Sequence, residues 1–384
     1  MKNKVDVIII GAGTMGLSSG YYLAKSGKSV LMLDAYEPPH TQGSHHGDTR
    51  LFRYAYTGDL VYNAMAVRAH ELWSQLERES SSTLLIPSGV LNISPDHDPL
   101  AEEKWNNALA FNLSVERLST MGIKHRWPGF HLPKGYSGIL ERRAGYLLTE
   151  PVLHAYKGLA ERHGARLVTG AKVLHWESSG SGYIVHTAAE KYEADQLVIT
   201  TGAWASETAE SVKPPVAAVR QVIGWFEAPE LFDVSQFPGF TLDTENGLYY
   251  GFPSKDGSGL KIGRHDWGTD IDPSAPLLPF QSGGEDEEIL RQALHKYIPE
   301  ANGRLIRGAA CKYENTPDED FIIDYHPDHK GVVLACGFSG HGFKFASAVG
   351  ELISNLVNGD SIRYNLSAFR LDRFQHLQDH EATT

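Results

Sequence analysis

The strongest constraint on the fold is a glycine-rich segment that joins a buried strand to a helix near the N-terminus. Residues 5–10 form an apolar run rich in β-branched side chains and interrupted only by Asp6, which is typical of a parallel strand buried on both faces. The run continues into residues 11–16 (GAGTMG) and then into a helical pattern that ends near Gly27. A second apolar run, residues 29–33, leads to Asp34, 18 positions after the last glycine of the motif. This pattern predicts a βαβ unit that binds a dinucleotide.

Each glycine of the motif has a distinct predicted role. Gly11 permits a tight turn, Gly13 lets the backbone approach a pyrophosphate, and Gly16 allows the helix to pack closely on the strand. The free N–H groups and the dipole at the start of the helix favour phosphate. Asp34 is placed to bind a ribose hydroxyl. The motif alone does not distinguish FAD from NAD.

The remaining sequence predicts a second domain whose segments alternate with the first. A chain of 384 residues is longer than one ordinary domain. Residues 195–204 and 331–358 each combine a strand with a glycine turn. Two-domain flavoproteins have such segments where the chain returns to the FAD domain. We therefore expect an α/β fold of the α+β two-domain kind, with a Rossmann-type FAD-binding domain interleaved with a substrate domain built on a mostly antiparallel sheet. The predicted FAD-binding segments are 1–80, 145–215 and 315–384, and the predicted substrate-domain segments are 81–144 and 216–314.

Periodicity and turn residues predict the other elements. Strands are expected in 84–94, 136–148, 166–176, 182–187, 197–202, 219–227, 237–243, 247–253, 259–264 and 331–337. Helices are expected over 61–78, 99–112, 149–163 and 343–358. Asn246-Gly247 is a hairpin signal.

Composition excludes several classes of function. The chain has 35 basic and 47 acidic residues, a net charge of −12, which disfavours nucleic acid as a partner. No apolar run reaches the ~18 residues of a membrane span. Two cysteines fit a reducing cytoplasm and are too few for a cysteine-rich metal site. His45 and His46 are adjacent and lack a carboxylate at ligand spacing, so no metal is expected.

Four segments together resemble a known family. They are residues 43–50 (GSHHGDTR), 249–253 (YYGFP), 308–311 (GAAC) and 337–345 (GFSGHGFKF). The chain resembles monomeric sarcosine oxidase and N-methyl-L-tryptophan oxidase from Val5 to about Arg373. The resemblance implies an FAD-containing oxidase that demethylates secondary amino acids with O₂ and produces formaldehyde and H₂O₂.

The resemblance also implies roles for particular residues. FAD would be joined through its 8α-methyl group to Cys311, whereas Cys336 is expected in the core. Arg53 and Lys344 would bind the substrate carboxylate, Lys261 would activate O₂, and His265 would lie over the substrate amine. Strand alternation itself places Lys261 and His265 on one face. Arg50 is expected near the flavin, with Tyr250 and Tyr313 as pocket walls. The other cofactor-binding residues expected are Ser44, His45, Thr49, Val173, Gly202, Trp204, Gly340, Gly342 and Phe343.

The substrate is less closely defined than the chemistry. Residues 54–62 (YAYTGDLVY) replace a Gly-Glu-Gly loop of the family, and Asp59 is the only acid left there. Thr241 stands where sarcosine oxidase has a bulkier methionine, although Phe240 and Trp267 could refill the space. Sarcosine is favoured, with N-methyl-L-tryptophan, cyclic amines and other N-methyl amino acids as alternatives. A nicotinamide-dependent dehydrogenase and a flavin-binding protein without turnover are alternatives of other classes. A monomer is expected.

Overall fold

The computed structural model describes residues 4–375. The outermost parts of the predicted segments 1–80 and 315–384, residues 1–3 and 376–384, lie outside the described residues. Among the helices of the described part, none is long and apolar enough to cross a membrane.

The described chain alternates strands and helices. The strands are β1 (Lys4–Ile10), β2 (Val30–Leu33), β3 (Thr49–Phe52), β4 (Leu85–Ile86), β5 (Val90–Pro95), β6 (Val115–Ser119), β7 (Tyr136–Glu141), β8 (Gly145–Leu148), β9 (Arg166–Val168), β10 (Val173–Ser179), β11 (Gly182–Thr187), β12 (Lys191–Ile199), β13 (Ala217–Phe226), β14 (Gly239–Thr244), β15 (Gly247–Phe252), β16 (Leu260–Arg264), β17 (Thr269–Asp270), β18 (Leu305–Asn315), β19 (Ile322–Tyr325) and β20 (Val332–Cys336). The helices are α1 (Thr14–Lys25), α2 (Val61–Ser80), α3 (Pro99–Ala110), α4 (Thr120–Arg126), α5 (Thr149–Arg162), α6 (Ala205–Thr208), α7 (Glu285–Tyr297) and α8 (Ala346–Asn358). Short 3₁₀ turns include Gly202–Trp204 and Phe343–Phe345.

The first sheet is built on parallel strands in the order β20, β12, β1, β2, β9. The hairpin β10–β11 extends it by antiparallel pairing with the first half of β12, and β19 pairs antiparallel with β20. The carboxyl ends of parallel strands lie at one edge of a sheet. The loops that follow β1, β2, β12 and β20 therefore meet there, which is where α/β proteins bind ligands.

Both faces of β1 are buried over residues 7–10, as the apolar sequence of that part predicts. Val7 and Ile9 pack in the core that contains α1, α5 and α8, whereas Ile8 and Ile10 pack in the core on the opposite face. Helix α1 packs against α5 and α8. This double burial holds the turn after β1 in a rigid frame.

The second sheet has the order β17, β13, β16, β15, β14, β5, β7, β6, with β18 paired along β13. Its strands are antiparallel except for the parallel pair β5–β14. These strands come from residues 90–141 and 217–315. The exact domain boundaries given in the sequence analysis remain a prediction. A small third sheet, β3–β8–β4, comes from residues on either side of the 90–141 segment.

Several predicted elements differ from those observed. The strand predicted over 166–176 is divided into β9 and β10, because Gly170 adopts φ +65° between them. The hairpin loop is Glu245-Asn246, since Gly247 already pairs with Thr244. The predicted helix 343–358 begins with a 3₁₀ turn, Phe343–Phe345.

The sequence patterns did not predict β3, β6, β17, β18, β19, α4, α6 and α7. The segment of β18 is rich in glycine, alanine and charged residues, which have low strand propensity. It is a strand because it pairs with β13 along nearly its whole length.

Candidate active site

The glycines of the first turn have the geometry that the motif predicts. Gly11 adopts φ +92°, and a Cβ atom there would lie 2.6 Å from the carbonyl oxygen of Thr200. A Cβ atom at Gly16 would lie 1.9 Å from the carbonyl oxygen of Gly11. At Gly13 the nearest atom is His45 Nδ1 at 3.9 Å, so this backbone faces open space. The turn is therefore close-packed on two sides and open on the third.

The open side of the turn has the polar groups that a dinucleotide needs. Within the described chain no side chain caps α1 at Gly13, so the first N–H groups of the helix are available to phosphate. Asp34 Oδ2 accepts a hydrogen bond from the Ala12 amide at 2.7 Å, and Asp34 Oδ1 accepts one from the Tyr36 amide at 2.8 Å. These bonds fix the carboxylate at the sheet edge while leaving it acceptor capacity.

A cavity of about 580 Å³ opens over this sheet edge. Many of the predicted residues line it, and they come from segments far apart in the sequence. They are Gly11, Gly13, Asp34, Ser44, His45, Arg50, Val173, Gly202, Trp204, Tyr313, Gly340, Gly342 and Phe343. Gly16, Thr49, Cys311 and Lys344, which were also predicted to bind the cofactor, are not among its lining residues. Gly16 instead packs the helix on the strand.

One face of the second sheet carries three of the predicted catalytic side chains, those of Lys261, Tyr250 and Tyr313. Lys261 and Gly263 of β16 alternate onto the face that Tyr250 occupies, because Tyr250 and Gly263 are directly paired. Gln221 of β13 pairs with Cys311 of β18 on the same face. The opposite face is apolar and packs with α7 in a separate core. The alternation seen in the sequence therefore separates a polar site from a core.

Lys261 is 2% exposed and is held entirely by backbone and hydroxyl oxygens. Its Nζ donates to the carbonyl oxygens of Gly47 and Thr49, at 2.5 Å and 3.0 Å, and to Thr49 Oγ1 at 3.0 Å. The ammonium also lies 4.4 Å from the ring centroid of Phe252 and 5.4 Å from that of Trp225. Burial, reinforced by Arg50, holds the pKa of Lys261 well below its usual value.

Arg50 and two tyrosines lie next to Lys261. The Arg50 guanidinium donates to the carbonyl oxygens of Ser44 at 2.7 Å and His46 at 2.6 Å, which closes residues 44–50 into a compact loop. The hydroxyl oxygens of Tyr250 and Tyr313 are 3.4 Å apart. Burial raises the pKa of Tyr250 to about 12 and holds that of Tyr313 well above its usual value, so both stay protonated at neutral pH.

Cys311 is 2% exposed and packs with Val219 and Tyr313. Burial raises the pKa of its thiol, whereas the nearby Arg50 and Lys261 act in the opposite direction. Cys336 lies in β20 in a core with Ile322 and Phe374, as expected. The two cysteines thus differ in environment, because cations lie near the first.

Arg53 and Lys344 meet at one tyrosine. The Lys344 ammonium donates to Tyr56 Oη at 2.5 Å and to the carbonyl oxygen of His341 at 2.8 Å. The Arg53 guanidinium lies 4.6 Å from the Tyr56 ring centroid. Burial and the charge of Arg53 hold the pKa of Lys344 well below its usual value. A bound carboxylate would relieve this repulsion between two cations.

His265 lies at the end of β16 near both cations. Its ring centroid is 5.7 Å from that of Tyr313. Burial lowers the pKa of His265 to about 4, and the charges of Arg53 and Lys344 add to the effect. The imidazole is therefore uncharged at neutral pH.

Comparison with known protein families shows to which family the chain belongs. A family model described as "DAO: FAD dependent oxidoreductase" matches residues 6–356. The chain belongs to this family. It is a flavin oxidoreductase that acts on amine groups. The family is FAD-dependent, which excludes the nicotinamide reading of the glycine motif.

Two known oxidases and one solved structure are similar to this chain over nearly its whole length. Monomeric sarcosine oxidase from Bacillus sp. (strain B-0618) is 43% identical over 378 residues, 97% of each chain. N-methyl-L-tryptophan oxidase from Citrobacter koseri is 38% identical over 373 residues, 97% of this chain and 99% of that one. The structure of glycine oxidase from Geobacillus kaustophilus has a TM-score of 0.80 at 20% identity, covering 97% of this chain and 99% of that chain. This last likeness shows the fold.

The cavity fits the FAD of the DAO family. Gly13 leaves an open cradle at an uncapped helix start, and Asp34 offers acceptor oxygens for a ribose. A second glycine turn, with Gly340 at φ +70°, approaches from the end of β20. The pyrophosphate of FAD suits the open cradle at Gly13, and its ribose suits the carboxylate of Asp34. The flavin end suits the region near Tyr313.

Sequence reasoning missed several residues of the site. Glu141 is buried in β7 and accepts hydrogen bonds from the amides of Tyr54 at 2.7 Å and Ala55 at 3.0 Å. It also accepts one from Asn92 Nδ2 at 2.9 Å. The carboxylate thereby fixes the backbone directly after Arg53. An acidic residue inside the apolar stretch Ile139-Leu140-Glu141 was the available signal, since buried carboxylates require partners.

Tyr56, His341 and Glu314 were also missed. Their functions depend on neighbours that are distant in sequence, such as Lys344 for Tyr56. No local pattern marks a tyrosine in a loop as the link between two cations.

Proposed function

We propose that the protein is an FAD-dependent oxidase that demethylates N-methyl amino acids, with sarcosine as the favoured substrate. The overall reaction consumes the secondary amine, O₂ and water, and yields the primary amino acid, formaldehyde and H₂O₂. The observation that carries the proposal is the pairing of Arg53 and Lys344 through Tyr56, beside an uncharged histidine. The names of the sarcosine and N-methyltryptophan oxidases support the substrate class.

The substrate carboxylate would bind between Arg53 and Lys344. Arginine offers a planar pair of donors to a carboxylate, and the lysine ammonium adds a point charge. Because Lys344 is buried beside Arg53, an anion that neutralises both cations is favoured over a neutral ligand. This arrangement accounts for an amino acid as the substrate rather than a simple amine.

The substrate amine would lie near His265. Uncharged at neutral pH, His265 can accept a proton or a hydrogen bond from the ammonium form and so favours the reactive neutral amine. When bound, FAD accepts the two electrons that leave the N-methyl C–H bond. Tyr250 and Tyr313 would form the walls of the pocket and exclude water.

Lys261 would promote the reaction with O₂. A buried ammonium stabilises negative charge that develops on oxygen, and few waters compete with it in this site. We further propose that Cys311 holds FAD covalently through the 8α-methyl group, supported by its position near Arg50 and Lys261. The proposal includes a monomer in the cytoplasm and the two-domain division at the boundaries given above.

A panel of substrates tests the proposed function. The purified holoenzyme is incubated with sarcosine, N-methyl-L-tryptophan, L-proline and N-methylethylamine, and H₂O₂ and formaldehyde are measured together. We expect equal amounts of both products from sarcosine and none from N-methylethylamine, which lacks the carboxylate. If none of these substrates gives peroxide, a flavin-binding protein without turnover becomes the better reading.

N-methyl-L-tryptophan is the second candidate substrate, and Thr241 favours it. Thr241 is paired with Tyr250 and donates to Asn92 Oδ1 at 3.1 Å on the site face of the sheet. Its side chain is small, which leaves room for a larger substrate. The same panel ranks the two substrates by kcat/KM.

A further inference from the structure

The FAD cavity contains a buried carboxyl group that the proposed chemistry does not use. Glu314 follows Tyr313 in β18, is 7% exposed, and lines the cavity. Its Oε2 atom has no hydrogen-bond partner among residues 4–375. Buried polar atoms are nearly always paired, and an enclosed oxygen without a partner disfavours the ionised form of the carboxyl. Because Oε2 is enclosed by protein, the carboxyl can contact a ligand in the cavity only through its other oxygen, Oε1.

Gly202 makes room for this carboxyl. Gly202 adopts φ +57°, and a Cβ atom at that position would lie 3.1 Å from Glu314 Oε2. The turn Gly202–Trp204, which follows β12, thus leaves the carboxyl against bare backbone at the sheet edge. Gly202 also lines the cavity, so the carboxyl and the cofactor share the same wall.

Among residues 4–375, no cation forms an ion pair with Glu314. On β18 itself, Lys312 lines the same cavity, but its ammonium donates to the carbonyl oxygen of Pro273 at 2.9 Å and lies 4.7 Å from the ring centroid of Trp204. The titratable group on β20 that faces Glu314 is the thiol of Cys336, whose pKa burial and Glu314 both raise. The turn 202–204 brings no titratable side chain, and β13 places Ala218 opposite. An ionised carboxylate here would be buried without a counterion among these groups, which is unfavourable.

We propose that Glu314 is a cofactor-binding residue whose uncharged carboxyl donates a hydrogen bond to an acceptor atom of FAD. A protonated carboxyl has one O–H donor, and an ionised one has none. Burial raises the pKa of Glu314 to about 8, against a smaller opposing effect of the Phe338 amide, which agrees with an uncharged group at neutral pH. The inference depends on the FAD of the family and not on the substrate, so a negative sarcosine assay leaves it intact.

A pH titration of the holoenzyme's flavin absorbance and fluorescence tests the proposal. We expect a spectral change with a midpoint near pH 8 in the wild-type protein, because Glu314 loses its donor there. Glu314→Gln retains a donor without a titrating group, so this change should disappear. Glu207→Gln is the matched control: Glu207 lines the same cavity but is exposed, and this variant should titrate as wild type does.

A second measurement separates cofactor contact from simple ionisation. The free energy of unfolding of wild type and Glu314→Gln is compared between pH 6 and pH 9. An ionising buried carboxyl destabilises wild type relative to the variant as pH rises above the ordinary carboxyl pKa. If that difference appears while the flavin spectra of the two proteins titrate alike, Glu314 ionises without touching FAD and the proposal is overturned. Identical flavin titrations without any stability difference overturn it as well.

Discussion

The Tyr56 hydroxyl accepts a hydrogen bond of 2.5 Å from the Lys344 ammonium, although 288 positions separate the two residues. The same tyrosine ring lies 4.6 Å from the Arg53 guanidinium. Its neighbour Tyr62 stacks on it with ring centroids 5.5 Å apart. Tyr56 therefore holds two cations at a fixed separation before a substrate arrives. Preorganisation of this kind reduces the cost of ordering charged side chains on binding.

Removal of the Tyr56 hydroxyl should weaken substrate binding more than it slows turnover. We expect Tyr56→Phe to raise KM for sarcosine about tenfold, since hydrogen bonds to charged groups contribute roughly 1.5–3 kcal/mol, while kcat changes less. Steady-state peroxide assays measure both constants. Tyr54→Phe is the control, because its hydroxyl contacts His70 instead. A fall in kcat with unchanged KM would count against a positioning role.

The state of the flavin after denaturation tests the role of Cys311. Acid-precipitated wild-type protein should keep its yellow colour, whereas Cys311→Ser should release FAD into the supernatant. Cys336→Ala is the control, since Cys336 lies in a separate core. Covalent flavin in Cys311→Ser would show that another residue forms the bond.

Loss of the Lys261 charge should affect the reaction with O₂ selectively. In Lys261→Met we expect the reduced protein to react with O₂ about 100-fold more slowly, as when a preorganised electrostatic group is removed. Anaerobic reduction by substrate should change far less. Stopped-flow absorbance separates the two half-reactions, and Lys255→Met, in an exposed turn, provides the control. Equal effects on both half-reactions would refute the assignment.

The buried histidine predicts acid sensitivity of the fold. Because the pKa of His265 is lowered to about 4 in the folded state, its contribution to stability is complete above the unfolded pKa of about 6.5. That contribution is lost as pH falls from about 6.5 to 4, by on the order of 2–3 kcal/mol. Urea unfolding at pH 7 and pH 5 should show a smaller loss in His265→Asn than in wild type. His125→Asn, at an exposed site, should behave as wild type.

The size of the residue at position 241 should decide which N-methyl amino acid fits. Thr241→Met places a longer side chain opposite Tyr250. We expect kcat/KM for N-methyl-L-tryptophan to fall at least about tenfold and that for sarcosine to change less, since added methylenes exclude bulky ligands. Thr241→Ser serves as the conservative control. Equal losses for both substrates would place Thr241 outside the substrate pocket.

Much of the FAD-binding edge could be predicted because its signals are local. The apolar run of β1, the spacing of Gly11, Gly13 and Gly16, and the position of Asp34 all lie within one βαβ unit. Each reflects a short-range requirement, such as the close approach of Gly16 to Gly11. Alternation along one strand likewise predicted the face that Lys261 shares with Gly263, whereas His265 lies just beyond the end of β16. The resemblance to a family added roles for Arg53, Lys344 and Cys311, which spacing alone does not supply.

Other features arise only from the tertiary structure. The strand β18 has weak local propensity and forms by pairing with β13. Sequence by itself determined the periodicities of the chain, its glycine turn and the residues available for chemistry. Folding decided which polar groups meet. It brings Lys344 beside Arg53 and leaves one oxygen of Glu314 without a partner at the cavity wall. The physical reason is that propensity depends on neighbours along the chain. Burial and electrostatic pairing depend on neighbours in space, and those come from segments that only the complete fold brings together.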